Sequence, residues 1–269
     1  MLAMDDVNRR TWRSGSALQG YGKMAGFMDQ GERLAFSIAV PAGSRPRLLD
    51  IGVGGGRTAA LLAPLASRYV GIDYVGEMVE RARRNRPGLD FAHGDARDLA
   101  TFASGSFDVV VFSCNGIDSV DPAGRAAVMA EAARVLGPGG HFVFSTFHRD
   151  WEGFSRRTSL RRIGWTPNPI RLGLRTLRFL EGSLVGAVRL HRLAALERRD
   201  DEHAVLLHWA HDFGILVYAT TPDRLARQLA HAGFESPPLV IGADGERIVG
   251  PAAPTAEYMH VIARKPYLS

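Results

Sequence analysis

Short apolar runs alternate with helix-periodic stretches from Arg47 to Phe147. RLLDIG (47–52), RYVGID (68–73), LDFAH (89–93), SFDVVVFS (106–113) and HFVFSTF (141–147) read as strands. The fourth is almost continuously apolar, as a strand covered on both faces must be. Between them RTAALLAPLAS (57–67), EMVERARRN (77–85) and DPAGRAAVMAEAARVL (121–136) place apolar residues at helical spacing. The last has Asp121 near its start and GPGG (137–140) as its stop. Such alternation predicts parallel strands joined by right-handed crossovers, hence an α/β doubly wound sheet.

The pattern resumes near the C-terminal end. Thr221 is placed to cap a helix over PDRLARQLAHAG, with Pro222 at its first position and Gly233 as its stop. PPLVIG (237–242) and EYMHVIAR (257–264) predict an antiparallel pair at the sheet edge. The expected fold is therefore a mostly parallel seven-stranded sheet with an antiparallel edge strand. Residues 1–40 read as an N-terminal helical cap and 41–147 as the core. Residues 148–219 read as a helical, lid-like insertion after the fifth strand, and 220–269 as the C-terminal part of the core sheet.

Composition excludes some chemistry. Of the 33 basic residues all but Lys23 and Lys265 are arginine, and the net charge is only +5, too small to imply nucleic acid by itself. A single cysteine, Cys114, rules out an intrachain disulfide and a cysteine-cluster zinc site. No apolar signal region or run of about 18 apolar residues is visible, so a cytoplasmic protein without a transmembrane helix is expected. The charge is unevenly spread. Residues 155–199 hold eleven arginines against Glu181 and Glu197, net +9, which leaves the rest of the chain at −4.

The candidate chemistry begins after the first strand. Asp50 is followed by Gly52, Gly54 and Gly56, a GxGxG loop that lets a ligand approach the main chain and opens onto a helix with unpaired N–H groups. Taken alone, the loop could also be a mere strand-to-helix turn. Asp73 ends the second strand 17 residues after Gly56, where a carboxylate can accept both hydroxyls of a ribose. Asp95 follows the third strand, where its side chain, beside the Ala96 N–H, can read the amino edge of an adenine. Each aspartate could be an ordinary turn residue, but the three sites fall at the carboxyl ends of consecutive strands and converge on one crevice. A nicotinamide dehydrogenase fits less well, because Arg57 stands where its fingerprint takes Gly or Ala.

LLDIGVGGGRTAALLA, YVGIDYVGEMVERAR, FAHGDARDL, SFDVVVFSCNGID and ARVLGPGGHFVFSTF together resemble the motifs of the class I S-adenosylmethionine (SAM)-dependent methyltransferases, strongly over residues 46–147. The resemblance implies SAM as cofactor, with Asp73 on the ribose and Asp95 on the adenine amino group. It places Gly52 and the neighbouring backbone on the methionine part, with Asp50 indirectly supporting its ammonium. It places Tyr74 and Met78 around the adenosine, and Ser113, Cys114 and Asn115 beside the sulfonium. The implied activity is methyl transfer to oxygen or nitrogen of a small molecule. An RNA methyltransferase and a non-catalytic SAM-binding module are the alternatives. The Asn/Asp-Pro-Pro-Tyr motif of amino-methylating branches is not matched, which argues against that type of base or glutamine N-methylation.

In-line displacement from an activated donor needs alignment more than a catalytic motif. Asn115 could orient an acceptor or merely stabilise a strand-end turn. His148, after the fifth strand, could be a general base or a structural histidine. His203, His208 and His211 could shape a lid; no metal site is expected. Cys114 reads as a small buried strand residue. In the insertion Ile170, Leu174, Leu177, Leu184 and Val188 approximate an apolar stripe, with Arg171, Arg175, Arg178, Arg189 and Arg192 elsewhere. It reads as a lid steering an anionic acceptor, as a membrane-surface helix reaching a lipid-like one, or as a solvated helix. As a lid its stripe is expected to pack on residues 1–40. Scarce lysine and little aromatic interleaving make nucleic acid an unfavoured partner.

Overall fold

The computed structural model describes residues 3–22, 28–155, 165–209, 211–249 and 256–267. The five apolar runs form β1 (Arg47–Ile51), β2 (Arg68–Asp73), β3 (Asp90–His93), β4 (Phe107–Phe112) and β5 (Leu136–His148). The insertion adds β6 (Arg198–Arg199), β7 (Ala204–His208) and β8 (Ile215–Thr220), and the C-terminal part supplies β9 (Leu239–Gly242) and β10 (Tyr258–Arg264). β1 pairs in parallel with β2 and β4, β2 with β3, and β4 with β5. β10 lies antiparallel between β5 and β9. The sequence-predicted seven-stranded sheet is therefore present, in the order β3-β2-β1-β4-β5-β10-β9. Strand order reverses between β1 and β4, and a crevice at their carboxyl ends follows from that reversal.

Helices cover both faces: α1 (Met4–Trp12), α2 (Gly15–Tyr21), α3 (Gln30–Ala39), α4 (Ala59–Leu62), α5 (Gly76–Asn85), α6 (Pro122–Val135), α7 (Pro169–Leu193) and α8 (Pro222–His231). Side chains alternate along β1 and β4. Leu49 and Val110 join Val128, Met129, Leu225 and Leu229 from α6 and α8 on one face. Leu48 and Val109 join Phe36, Leu62 and Val79 from α3, α4 and α5 on the other. The helix expected over 57–67 is shorter. α4 stops at Leu62 and a 3-10 turn, Ala63–Leu65, follows, since Pro64 has no N–H to continue the ladder.

The insertion is less purely helical than its pattern suggests. β8 continues the β4 side of β5, pairing in parallel at Phe147 and His148, and β7 and β6 follow it as an antiparallel ribbon. α1 packs on this ribbon. Met4 and Val7 join Val205, Leu207, Phe213 and Leu216. The Asn8 side chain donates to the carbonyls of Ser119 (2.8 Å) and Leu216 (2.7 Å) and accepts from the Leu216 N–H (2.9 Å). The stripe on α7 does not make this contact. Ile170, Leu174, Leu177, Leu184 and Val188 are exposed, and only the C-terminal end of α7, through Leu190 and Leu193, reaches the α1 cluster. The expectation that the stripe packs on residues 1–40 is thus corrected: the β-ribbon, which helical periodicity does not reveal, occupies that surface. Residues 23–27 of the cap and 156–164 of the insertion lie outside the described residues.

A fully buried ion pair fixes the turn after β4. Asp118 is paired with Arg125 and accepts from Thr146 Oγ1 (2.8 Å) and the Phe147 N–H (2.7 Å). The Arg125 guanidinium lies 4.4 Å over the Tyr218 ring of β8. One cluster so joins the β4 tip, α6, β5 and the ribbon. Asp118→Ala strands a buried cation and should cost about 3–5 kcal/mol. Replacing both partners, Asp118→Ala with Arg125→Met, should cost clearly less, as read by urea unfolding.

Candidate functional site

The carboxyl ends of β1, β2 and β4 and the turn after β3 open into one cavity of about 930 Å³, counted to its open mouth. Nine of the sequence-predicted residues line it: Gly52, Gly54, Asp73, Tyr74, Met78, Asp95, Ala96, Ser113 and Cys114. Asp50, Gly56, Asn115 and His148 are not among its walls.

The floor is the glycine loop. Gly54 has φ +54°, and a Cβ there would stand 2.9 Å from the Tyr21 carbonyl oxygen of α2. That carbonyl accepts from the Gly55 N–H at 2.8 Å, so the end of α2 is seated on the loop. Gly52, at φ +67°, lies flat under the Phe112 ring, which a Cβ would meet at 2.8 Å. Gly56 serves the turn: a Cβ there would face Arg86 and Ala59, not the cavity. Asp73, buried at the end of β2, accepts from the Gly54 N–H (2.9 Å) and the Val75 N–H (2.9 Å), one on each oxygen. Each oxygen has a second lone pair, and the residue still borders the cavity.

Asp50 lies beneath the loop, wholly buried. Thr58 Oγ1 (2.6 Å) and Tyr69 Oη (2.8 Å) both donate to its Oδ2. Its Oδ1 is buried with no hydrogen-bond partner among the described residues. Burial pushes its carboxyl up to about 6 against the pull of those hydrogen bonds.

Asp95 is clamped. Arg97 donates to both its oxygens (Nε 3.0 Å, Nη2 2.7 Å) and also pairs with Asp5 of α1. Asp5, Asn8, Arg9 and Trp12 of α1, with Tyr21 of α2, form the remaining cover of the cavity, none of them singled out by sequence. Residues 1–40 carried only a general helical signal, and the partners of α1 lie about a hundred residues or more away in sequence, so no local motif marks them. The Trp12 Nε1 is buried without a partner among the described residues. Trp12, Tyr21 and His211 pack together, with ring centroids 5.0–5.6 Å apart.

The β4 tip departs from its reading. Cys114 is exposed and lies beyond the strand, with φ +52°, and is not a buried strand residue. Asn115 follows at φ +54°, its N–H donating to Ser145 Oγ (2.8 Å) and its carbonyl accepting from the Asp118 N–H (3.0 Å). Two successive left-handed residues without glycine are strained. Ser113 and Cys114 receive Arg57 Nη2 at 3.1 and 3.0 Å, and Arg57 is held bidentately by Glu32 of α3. The Asn115 Oδ1 is a buried acceptor without a partner among the described residues. It adjoins Cys114 and Gly116, both of which line the cavity.

His148 is buried at the end of β5, with pairing to β8 on one side and its N–H donated to the Glu257 carbonyl. Its Nδ1 accepts from the Asp150 N–H (3.3 Å), and burial holds its imidazole below the usual histidine range. Uncharged at neutral pH, it has the state a base needs but not the place. The three other histidines are separate: His203 stacks on Tyr218, His208 pairs with Glu257, and His211 joins the aromatic cover. No group of metal-binding side chains occurs among the described residues.

Residues 49–144 match the family model described as a methyltransferase domain. A demethylmenaquinone methyltransferase of Beutenbergia cavernae is 42% identical over 107 residues, covering 39% of this chain and 43% of that one. A ubiquinone biosynthesis O-methyltransferase of Aromatoleum aromaticum is 31% identical over 112 residues, covering 40% and 46%. The chain thus spans less than half the length of these curated relatives. Among solved structures, the CcbJ methyltransferase of Streptomyces caelestis superposes with a TM-score of 0.57 at 16% identity, covering 93% of this chain and 96% of that one.

Two outcomes follow from this geometry. Because the Asp50 carboxyl is raised in the fold, its ionisation destabilises the protein as pH climbs from about 4 through about 6. Asp50→Asn lacks that penalty, so its stability relative to the parent should improve by about 2 kcal/mol between pH 4 and pH 7 in urea titrations. A constant difference across that range would show that Asp50 is not a raised acid. Arg97→Ala should release α1, raising amide hydrogen exchange over residues 4–12 while the β1 and β4 amides keep their protection.

Proposed function

We propose that this chain, residues 49–144 of which form a methyltransferase domain of the class I SAM-dependent type, binds SAM in the cavity and passes its methyl group to oxygen or nitrogen of a small acceptor. The observation that carries the reading is the convergence, in one cavity, of the glycine loop, Asp73, Asp95 and the strained β4 tip. The residues present fit the cofactor. Gly52 and Gly54 bring main chain to the cavity wall, and Asp73 keeps lone pairs for two ribose hydroxyls. The orphan Asp50 oxygen sets a negative potential beneath the loop, where the cationic methionine end would lie.

When bound, SAM supplies an electrophilic methyl group on a sulfonium. The protein's task is then alignment and exclusion of water. Trp12 and Tyr21 close the cavity from the α1 side, and Tyr74 and Met78 offer apolar walls for the base. Asp95 accepts from the adenine amino group with a lone pair not taken by Arg97. Asn115 is not itself a wall of the cavity, but its neighbours Cys114 and Gly116 are; once the β4 tip adjusts, its Oδ1, unpartnered among the described residues, would accept a hydrogen bond from the acceptor's O–H or N–H and so orient the heteroatom. We assign no base role to His148, since it does not border the cavity. The names of the two curated relatives and the aromatic pair at the cover favour a ring-bearing, lipid-soluble acceptor.

Calorimetry with SAM and with its demethylated product tests the first half of the reading. Asp73→Asn keeps a carbonyl for one N–H but loses the charge and one acceptor, and should weaken binding about 10–100-fold. Unchanged affinity in the folded variant would remove Asp73 from the site. Asn115→Ala should leave SAM affinity within about threefold while lowering transfer of labelled methyl at least about tenfold, as expected for a group acting only on the acceptor.

A further inference from the structure

α7 carries an apolar face that no other element among the described residues covers. Ile170 is 74%, Leu177 63% and Leu184 69% exposed, and Leu174 and Val188 extend the same stripe. The opposite face, marked by Leu172, Thr176, Gly182 and Gly186, is the one turned inward. The helix is 25 residues long, about 37 Å, and its exposed stripe runs nearly the whole length. Soluble surfaces seldom leave so extended an apolar strip bare, and one rimmed by charge marks an interaction site. Trp165, 80% exposed, sits just before the helix and is held there by Arg175, which donates to its carbonyl at 3.2 Å.

Charge identifies the partner. Over Pro169–Leu193 five arginines stand against the single Glu181, net +4. Arg171, Arg175 and Arg178 project one residue after Ile170, Leu174 and Leu177, so a basic edge runs beside the stripe. A second copy of the chain laid on this face would oppose +4 with +4. An anionic bilayer supplies both what the stripe lacks, an apolar medium, and what the edge lacks, counter-charge. No helix among the described residues is long and apolar enough to cross a membrane, so the contact would be peripheral. We infer that α7 docks the protein on the surface of an anionic lipid bilayer, with its leucine stripe in the acyl boundary and its arginines among the headgroups.

The site lies close behind this face. Arg189 of α7 donates to the His211 carbonyl at 2.6 Å, and the His211 ring packs on Trp12 and Tyr21, which line the cavity. The docking inference does not depend on methyl transfer. SAM affinity, measured by calorimetry, reads the functional proposal, and vesicle binding reads this one.

Co-sedimentation of the full chain with vesicles tests it. The parent should bind phosphatidylglycerol–phosphatidylcholine vesicles and be at least about tenfold weaker on phosphatidylcholine alone. Leu177→Glu with Leu184→Glu should lower binding roughly 100-fold or more, since each leucine loses its burial. Arg171→Ala with Arg178→Ala should lower it about 25-fold, a loss that high salt reproduces. These side chains are exposed, so thermal unfolding should not change. Should a variant prove unstable, the blue shift of tryptophan emission on adding anionic vesicles gives a second reading, which Trp165→Phe should remove. Retained binding in the double-glutamate variant, or no binding by the parent, would overturn the proposal. So would a dimer in sedimentation velocity that the glutamates dissociate, because the stripe would then be a contact between copies.

Discussion

The carboxylate of Asp73 holds the site in shape. Its two oxygens take the N–H groups of Gly54 and Val75, which lie on opposite sides of the crevice floor, one in the loop after β1 and one before α5. The loop therefore keeps its left-handed turns without a ligand, and the end of α2 can seat on Gly55. Charge-assisted bonds from buried N–H groups are worth more than neutral ones, so this arrangement persists against the strain at the loop. A residue that looks like a ligand contact is first a clamp on the main chain, and its capacity for a ligand is what the clamp leaves over.

Much of the core was legible because its signals are local. The runs at 68–73 and 89–93 announce strands, and Asp73 and Asp95 fall at or just after their carboxyl ends. The seven-stranded order and the cavity follow. What could not be read depends on contacts distant in sequence. Asn8 finds Leu216, 208 residues away, and Asp5 finds Arg97, 92 residues away; neither Asn8 nor Asp5 belongs to a motif. The ribbon β7–β8 was hidden for another reason. AVLLH and ILVYAT are buried on both faces, so they lack the alternation that marks a half-exposed strand, and they sit in a segment dominated by a helical arginine pattern. The α7 stripe was read correctly as apolar and helical but given the wrong neighbour, since the ribbon had already taken the surface of α1. Cys114 was mistaken because strand periodicity does not show where β4 stops.

Several features of the site oppose stability. Among the described residues, Asp50 is buried with one oxygen unpaired and Asn115 with its side-chain Oδ1 unpaired, and Cys114 and Asn115 hold left-handed backbone without the freedom of glycine. Each costs on the order of 1–3 kcal/mol. None is needed to close the core, which is continuous on both sides of the sheet without them. They are concentrated at or next to one cavity, which is where desolvated polar groups and strained backbone cluster when a site is built to take a ligand.

The insertion and the cap share a hydrogen-bonded seam. Asn8 bonds to the main chain of Leu216 in both directions, as a neighbouring strand would, and Thr11 Oγ1 donates to the Gly214 carbonyl at 2.5 Å. β8 in turn extends β5, and the Asp118–Arg125 pair ties both to the β4 tip. α7 is joined to this seam at its packed end. Arg189 bonds to the left-handed run His211–Phe213, and the His211 ring packs on Trp12 and Tyr21 at the cavity. A helix anchored at one end to such a seam, with its apolar stripe exposed, is unlike a solvated helix that touches nothing near the site. No residue of α7 lines the cavity, but its packed end adjoins the rings that do, Trp12 and Tyr21, through His211.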